Sequence, residues 1–191
     1  VQLHIGGFPA WDAIVAWTQF KTPSPVSPLR GTDPNSETGL QIAQGRQIFT
    51  QANCQACHGG AKWSTPQVDY ARVSPFPETI TAGTPPEPPV GQLSRFLQLV
   101  GTFDPANPLE KNANNAQALG QLGYNPPSLL SIFAFPPYFH DGSCPTLECV
   151  LENQTHREAG GVTGLLDDPA NQAALLQFLK SIDITTEPIN P

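Results

Sequence analysis

The 191-residue chain contains no methionine. Any site that needs a thioether donor from that residue is closed to it. Long hydrophobic runs are missing as well: the longest, Ala13–Trp17, is far too short to cross a bilayer as a helix. Basic residues are scarce. Nine Lys and Arg face 16 Asp and Glu, for a formal charge of −7, which argues against nucleic acid as a partner. With four lysines in all, no lysine ring is available to dock an acidic protein, so a partner with a basic or neutral face is expected. No basic stretch followed by an apolar one opens the chain, and any secretory signal is expected to have been removed already.

What is present points to a folded domain. Hydrophobic residues make up 39% and charged residues 13%, enough apolar surface for a core and too little charge for a disordered chain. Twenty-two prolines exceed twice the ordinary share of about 5%. Proline lacks the N–H that a helix interior needs, so short helices joined by long ordered loops are expected.

The four cysteines are Cys54, Cys57, Cys144 and Cys149. The first two stand in Cys54-Gln55-Ala56-Cys57-His58, the Cys-x-x-Cys-His signature of covalent haem c attachment. Each thiol adds to one haem vinyl group, and His58 then meets the iron from below the ring. Two other readings stay open here. A redox Cys-x-x-Cys needs a βαβ context that is not visible, and four cysteines in two short-spaced pairs suit tetrahedral zinc. The helix that delivers the chain into the motif favours haem. With Cys54 and Cys57 consumed, Cys144 and Cys149 remain as a pair, and a disulfide between them is expected in the oxidising compartment where such haem attachment takes place. That places the protein in the periplasm or another extracytoplasmic space.

Periodicity gives a mostly α chain. Pro9–Phe20 reads as a short helix with Trp11, Ile14, Val15 and Thr18 as its stripe, and 21–35, with four prolines, as an extended connector. Glu37–Ala52 is a helix with Ile42, Gly45, Ile48, Phe49 and Ala52 on one face. The predicted division is therefore an N-terminal helix and connector over 1–36 and a haem domain over 37–191. Within that domain, 60–89 reads as an ordered loop, 91–100 as a helix and 104–123 as a polar loop. Short helices are expected over 127–133 and 145–153. The clearest helix covers 168–182: Asp168 caps it, Pro169 opens it, and Leu175, Leu176, Leu179 and Ile182 fall in register.

A helix running into Cys-x-x-Cys-His, with a strong helix at the other end, is the layout of cytochrome c. In that layout Gly45 and Phe49 are expected to meet Leu176 and Leu179. Further motifs follow: Pro126-Pro127-Ser128-Leu129-Leu130, Pro136-Pro137-Tyr138-Phe139-His140-Asp141-Gly142-Ser143, and Thr146-Leu147-Glu148. These resemble the C-terminal, electron-transfer haem domain of the bacterial dihaem cytochrome c peroxidase and MauG superfamily, over about 37–184. The resemblance implies a cytochrome c-like haem domain with long Pro-rich loops. Three features depart from it: the first haem domain is absent, the usual methionine ligand cannot exist, and Cys144 and Cys149 stand where relatives have no thiols.

The sixth iron ligand must then come from elsewhere. His156 lies close to where relatives place methionine and is assigned the position, opposite His58. His140 is the second candidate, although the resemblance places it near the haem rather than on iron; an open site or His4 is the remainder. Trp63, Tyr138 and Phe139 are candidate haem walls, and Arg72, Arg95 and Arg157 candidate partners for the propionates. The expected function is one-electron transfer through a single covalent haem, exchanging electrons with a redox protein. The alternative is the haem-bearing half of a peroxidase-like or MauG-like oxidoreductase, with the catalytic haem on a missing segment or another chain.

Overall fold

A computed structural model describes residues 4–5, 8–20, 23–65, 98, 100, 102–104 and 123–191. Its centre is a pair of crossed helices. Helix α2 (Glu37–Gln51) begins where the Ser36 side chain accepts the Gly39 amide at 3.1 Å. The C-terminal helix, named α6 below, runs over Pro169–Ser181 and begins where Asp168 accepts the Ala170 amide at 2.9 Å with Pro169 in its first turn. The Asp168 cap and Pro169 are the ones the sequence signals, and the Ser36 cap is found in the structure.

The two helices touch backbone to backbone. A Cβ built on Gly45 would lie 2.0 Å from the Ala174 carbonyl oxygen and 2.7 Å from the Phe178 Cβ. The close approach at Gly45 is as expected, but its partners are Ala174 and Phe178 rather than Leu176 and Leu179. Phe49, Phe178 and Trp63 then close the core as three edge-to-face rings, with centroids 5.5–5.9 Å apart.

The remaining elements are short, as the proline content requires. The chain opens with a two-residue hairpin, β1 (His4–Ile5) against β2 (Phe8–Pro9), followed by α1 (Ala10–Phe20). Helix α3 (Gln55–His58) carries the Cys-x-x-Cys-His motif, and a 3-10 turn spans Ile132–Ala134. Helices α4 (Leu147–Glu152) and α5 (Gln154–Arg157) precede a second 3-10 turn at Leu165–Asp167. The class is mostly α.

Three expectations need correction. Helix α1 forms, but its stripe is not buried: Trp11 is 78% exposed, with Ile14 and Val15 about half exposed. Residues 127–133 are not a helix, because the Pro126 and Pro127 carbonyls bond outward to other segments and only Ile132–Ala134 takes a single tight turn. Gln98, expected in a helix, instead forms an isolated antiparallel bridge with Tyr124. Apart from Gln98 and Val100, residues 91–100 lie outside the described residues, as do most of the loops over 60–89 and 104–123.

The connector between α1 and α2 is bound to the domain at Asp183. Its carboxylate, on a residue 1% exposed, accepts from the Ser27 amide at 3.0 Å, Arg30 Nε at 2.9 Å and the Thr185 hydroxyl at 2.7 Å. Burial alone would raise this carboxyl, but the Arg30, Thr185 and Ser27 donors outweigh it and hold it well below the usual carboxylate range. Cys144 and Cys149 are joined in a disulfide with Cα atoms 5.4 Å apart. It links the turn after Tyr138 to α4, as expected from the leftover pair.

Candidate haem site

The site is assembled by two loops folding onto the end of α2. Asn53 follows the last helical turn in the left-handed conformation (φ +57°), and α3 starts two residues later, with Cys54 at its N-cap. From α3 the chain enters 60–65, which is stitched to the Pro pair. Ser64 Oγ donates to the Pro126 carbonyl at 2.7 Å, the Leu129 amide to the Trp63 carbonyl at 3.2 Å, and the Ser128 hydroxyl to the Lys62 carbonyl.

This stitching brings the Pro127 carbonyl to 3.1 Å from His58 Nδ1. A carbonyl only accepts, so Nδ1 carries the proton and the lone pair is left on Nε2. Burial, with a smaller contribution from nearby His156, lowers the His58 pKa to about 4, and the Pro127 contact opposes this only in part. Burial lowers His156 as well. Both imidazoles are neutral at pH 7, the form that binds a metal.

A cavity of about 550 Å³ opens beside these rings, within the span of about 300–1,000 Å³ usual for cofactor sites. Cys54, Cys57, His58, Tyr138, His140 and His156 all line it, and Phe49, Leu175 and Leu179 supply apolar wall from the crossed helices. The ring centroids of His58 and His156 are 6.4 Å apart. Phe139, itself at φ +64°, packs its ring 5.3 Å from His156. The Tyr138 hydroxyl donates to the Ile132 carbonyl at 3.0 Å, fixing that wall. The donor set fits a haem c: two thiols at vinyl spacing, two neutral imidazoles and an apolar enclosure meet in one space.

The other expected site residues divide between the cavity and its surroundings. Trp63 is buried behind the wall, edge-on to Phe49, and does not line the cavity. His140 reaches the cavity and stacks on Tyr124, with centroids 4.1 Å apart at 18°. Arg157 is taken up elsewhere: Nη1 donates to the Leu166 carbonyl at 2.9 Å, and the guanidinium pairs with Asp167. Arg72, Arg95 and the His4 side chain lie outside the described residues.

The competing metal and redox readings lose their basis. Cys144 and Cys149 are bonded to each other and cannot join a four-cysteine zinc site. Among the described residues no group of three or more His, Cys, Asp or Glu converges as a metal cluster. Burial, with Cys57 adjacent, pushes the Cys54 thiol up to about 12, and burial raises Cys57 too. A dithiol redox centre needs the opposite, a lowered thiol.

The Pro127 carbonyl, Asn53 and Tyr124 escaped the sequence reading. None of the three had a local signal: proline lacks an N–H but its carbonyl accepts as any other does, so nothing in the sequence marks which carbonyl will meet His58.

No curated protein and no solved structure matches the chain. Residues 123–159, which carry Pro127, Tyr138, His140, the disulfide and His156, match the family model described as RoxA-like, cytochrome c-like. That match, on the loops that complete the cavity, supports a cytochrome c-like haem domain.

Proposed function

We propose that the chain is a c-type cytochrome that passes one electron at a time through a single covalently attached haem, with His58 and His156 as axial ligands. The observation that carries this reading is the convergence of Cys54, Cys57, His58 and His156 on one apolar cavity. With metal–nitrogen bonds of about 2 Å and a ring radius of about 1.2 Å, two imidazoles on opposite sides of one metal have centroids about 6 Å apart. His58 and His156 stand at 6.4 Å. Bound there, haem supplies a centre that accepts and returns one electron. The protein's part is to hold and shield it. Pro127 orients His58, Asn153 Oδ1 accepts the His156 amide at 2.9 Å to start α5, and the apolar wall keeps water out. The disulfide agrees with an extracytoplasmic location. Among the described residues no helix is long and apolar enough to cross a membrane.

The second reading is the haem-bearing half of a peroxidase-like or MauG-like oxidoreductase. One observation favours it: α1 turns Trp11, Ile14 and Val15 outward, as a helix does when another domain or chain covers it. The electronic spectrum and mass of the holoprotein decide between them. The expected result is one haem per chain, retained through acid–acetone extraction, with low-spin spectra in both oxidation states. Release of the haem rejects covalent attachment. A high-spin resting iron that turns over peroxide replaces the carrier reading with the second one.

A further inference from the structure

The geometry points to Asn53 as a positioning residue that sets the approach of His156 to His58, acting through Gly160; this rests on the bis-histidine reading above. Asn53 is the residue immediately before Cys54, and its side chain reaches 107 positions along the chain. Its Nδ2 donates to the Gly160 carbonyl at 2.9 Å, while its Oδ1 accepts from Gln55 Nε2 at 3.2 Å. Gly160 is pressed against the same turn. A Cβ there would lie 2.7 Å from the Ala52 carbonyl oxygen and 3.1 Å from that of Asn53.

His156 therefore sits in a segment tied at three points. Asn153 Oδ1 takes its amide at the start of α5, and Arg157 anchors the middle to the 3-10 turn at Leu165–Asp167. The Asn53–Gly160 clasp closes the end. The first two ties hold His156 to its own neighbourhood. The third joins it by a side-chain hydrogen bond to the turn that launches Cys54, Cys57 and His58, so it bears directly on the distance between the two imidazoles. Phe139 touches the His156 ring but is carried by a separate loop.

The left-handed backbone at Asn53 offers a purely structural account of the residue, and the test separates the two. Asn53→Gly keeps that conformation freely available while removing the donor to Gly160, together with the local acceptor for Gln55. Carbon monoxide binding to the ferrous holoprotein reports how often His156 leaves the iron, with His156→Ala as the open reference. Asn53→Gly is expected to bind carbon monoxide about fivefold faster than wild type, the factor that one lost hydrogen bond typically makes. Gly160→Ala, whose new Cβ pushes the segment off Ala52, is expected to move in the same direction. An Asn53→Gly protein that melts at lower temperature yet binds carbon monoxide at the wild-type rate, with His156→Ala open, overturns the proposal alone. A His156→Ala protein that stays closed to carbon monoxide overturns the axial assignment, and this proposal with it.

Discussion

His58 owes its chemistry to one backbone carbonyl. Pro127 accepts from Nδ1 and leaves Nε2 as the donor nitrogen, so the tautomer is set before any metal arrives. His156 and His140 differ in the same concrete way. The His156 ring centroid lies 6.4 Å from that of His58, whereas His140 is stacked on Tyr124. Replacing His156 with Ala is accordingly expected to turn the iron high-spin or water-bound and to raise the reduction potential, because a strong donor to ferric iron is lost. His140→Ala is expected to stay low-spin; optical and electron paramagnetic resonance spectra of the two variants check the pair, and the reverse pattern transfers the ligand role to His140. Asp183 makes a second residue-level case. Its carboxyl is held below its unfolded value, so its stabilisation is present above about pH 4 and is lost as pH falls further. Asp183→Asn should cost about 2 kcal/mol at pH 7, the value of charge-assisted hydrogen bonds, and should flatten the acid limb of a melting-temperature profile.

Among the elements, the α2–α6 crossing is the most constrained. Gly45→Ala gains about 1 kcal/mol in helix propensity but drives a Cβ to 2.0 Å from the Ala174 carbonyl, so the helices must separate. The net loss is expected at about 1–3 kcal/mol in denaturant unfolding, as overpacking of a tight contact commonly costs. The disulfide works on a shorter span. Closing a loop with a sequence separation of 5 between Cys144 and Cys149 stabilises by about 2 kcal/mol in the chain-entropy estimate. Alkylation without reductant should label neither of these thiols, and Cys144→Ser with Cys149→Ser should lower the melting temperature accordingly. Helix α2 was legible from its apolar period and α6 from its cap, its proline and its period, all of them local signals. The stretch over 127–133 was not, since its carbonyls are claimed by Ser64 and His58, which lie far away in sequence. The stripe of α1 was legible as a helix and misleading as a core face: periodicity reports that a face is apolar, not what stands against it.

For the molecule as a whole, charge and ligand set govern behaviour. A net charge of −7 makes encounters with cations favourable over distances up to about 10 Å at 0.1 M salt. Electron exchange with a cationic metal-complex mediator should slow as salt rises and exchange with an anionic one should quicken, measured by stopped flow; equal salt dependence for both would remove the charge-steering argument. The lack of methionine among these 191 residues and the Cys-x-x-Cys-His motif, on which the proposed haem attachment rests, were legible because they are contained in composition or in contiguous residues. The leftover cysteines likewise announced their pairing. The tautomer of His58, the seating of His156 and the retreat of Trp63 behind the cavity wall are different in kind. They follow from contacts between segments as much as 69 and 107 residues apart, such as Pro127 with His58 and Asn53 with Gly160. Backbone carbonyls and left-handed turns acquire such roles only when the chain folds back on itself, and no local pattern of side chains encodes which carbonyl will be waiting.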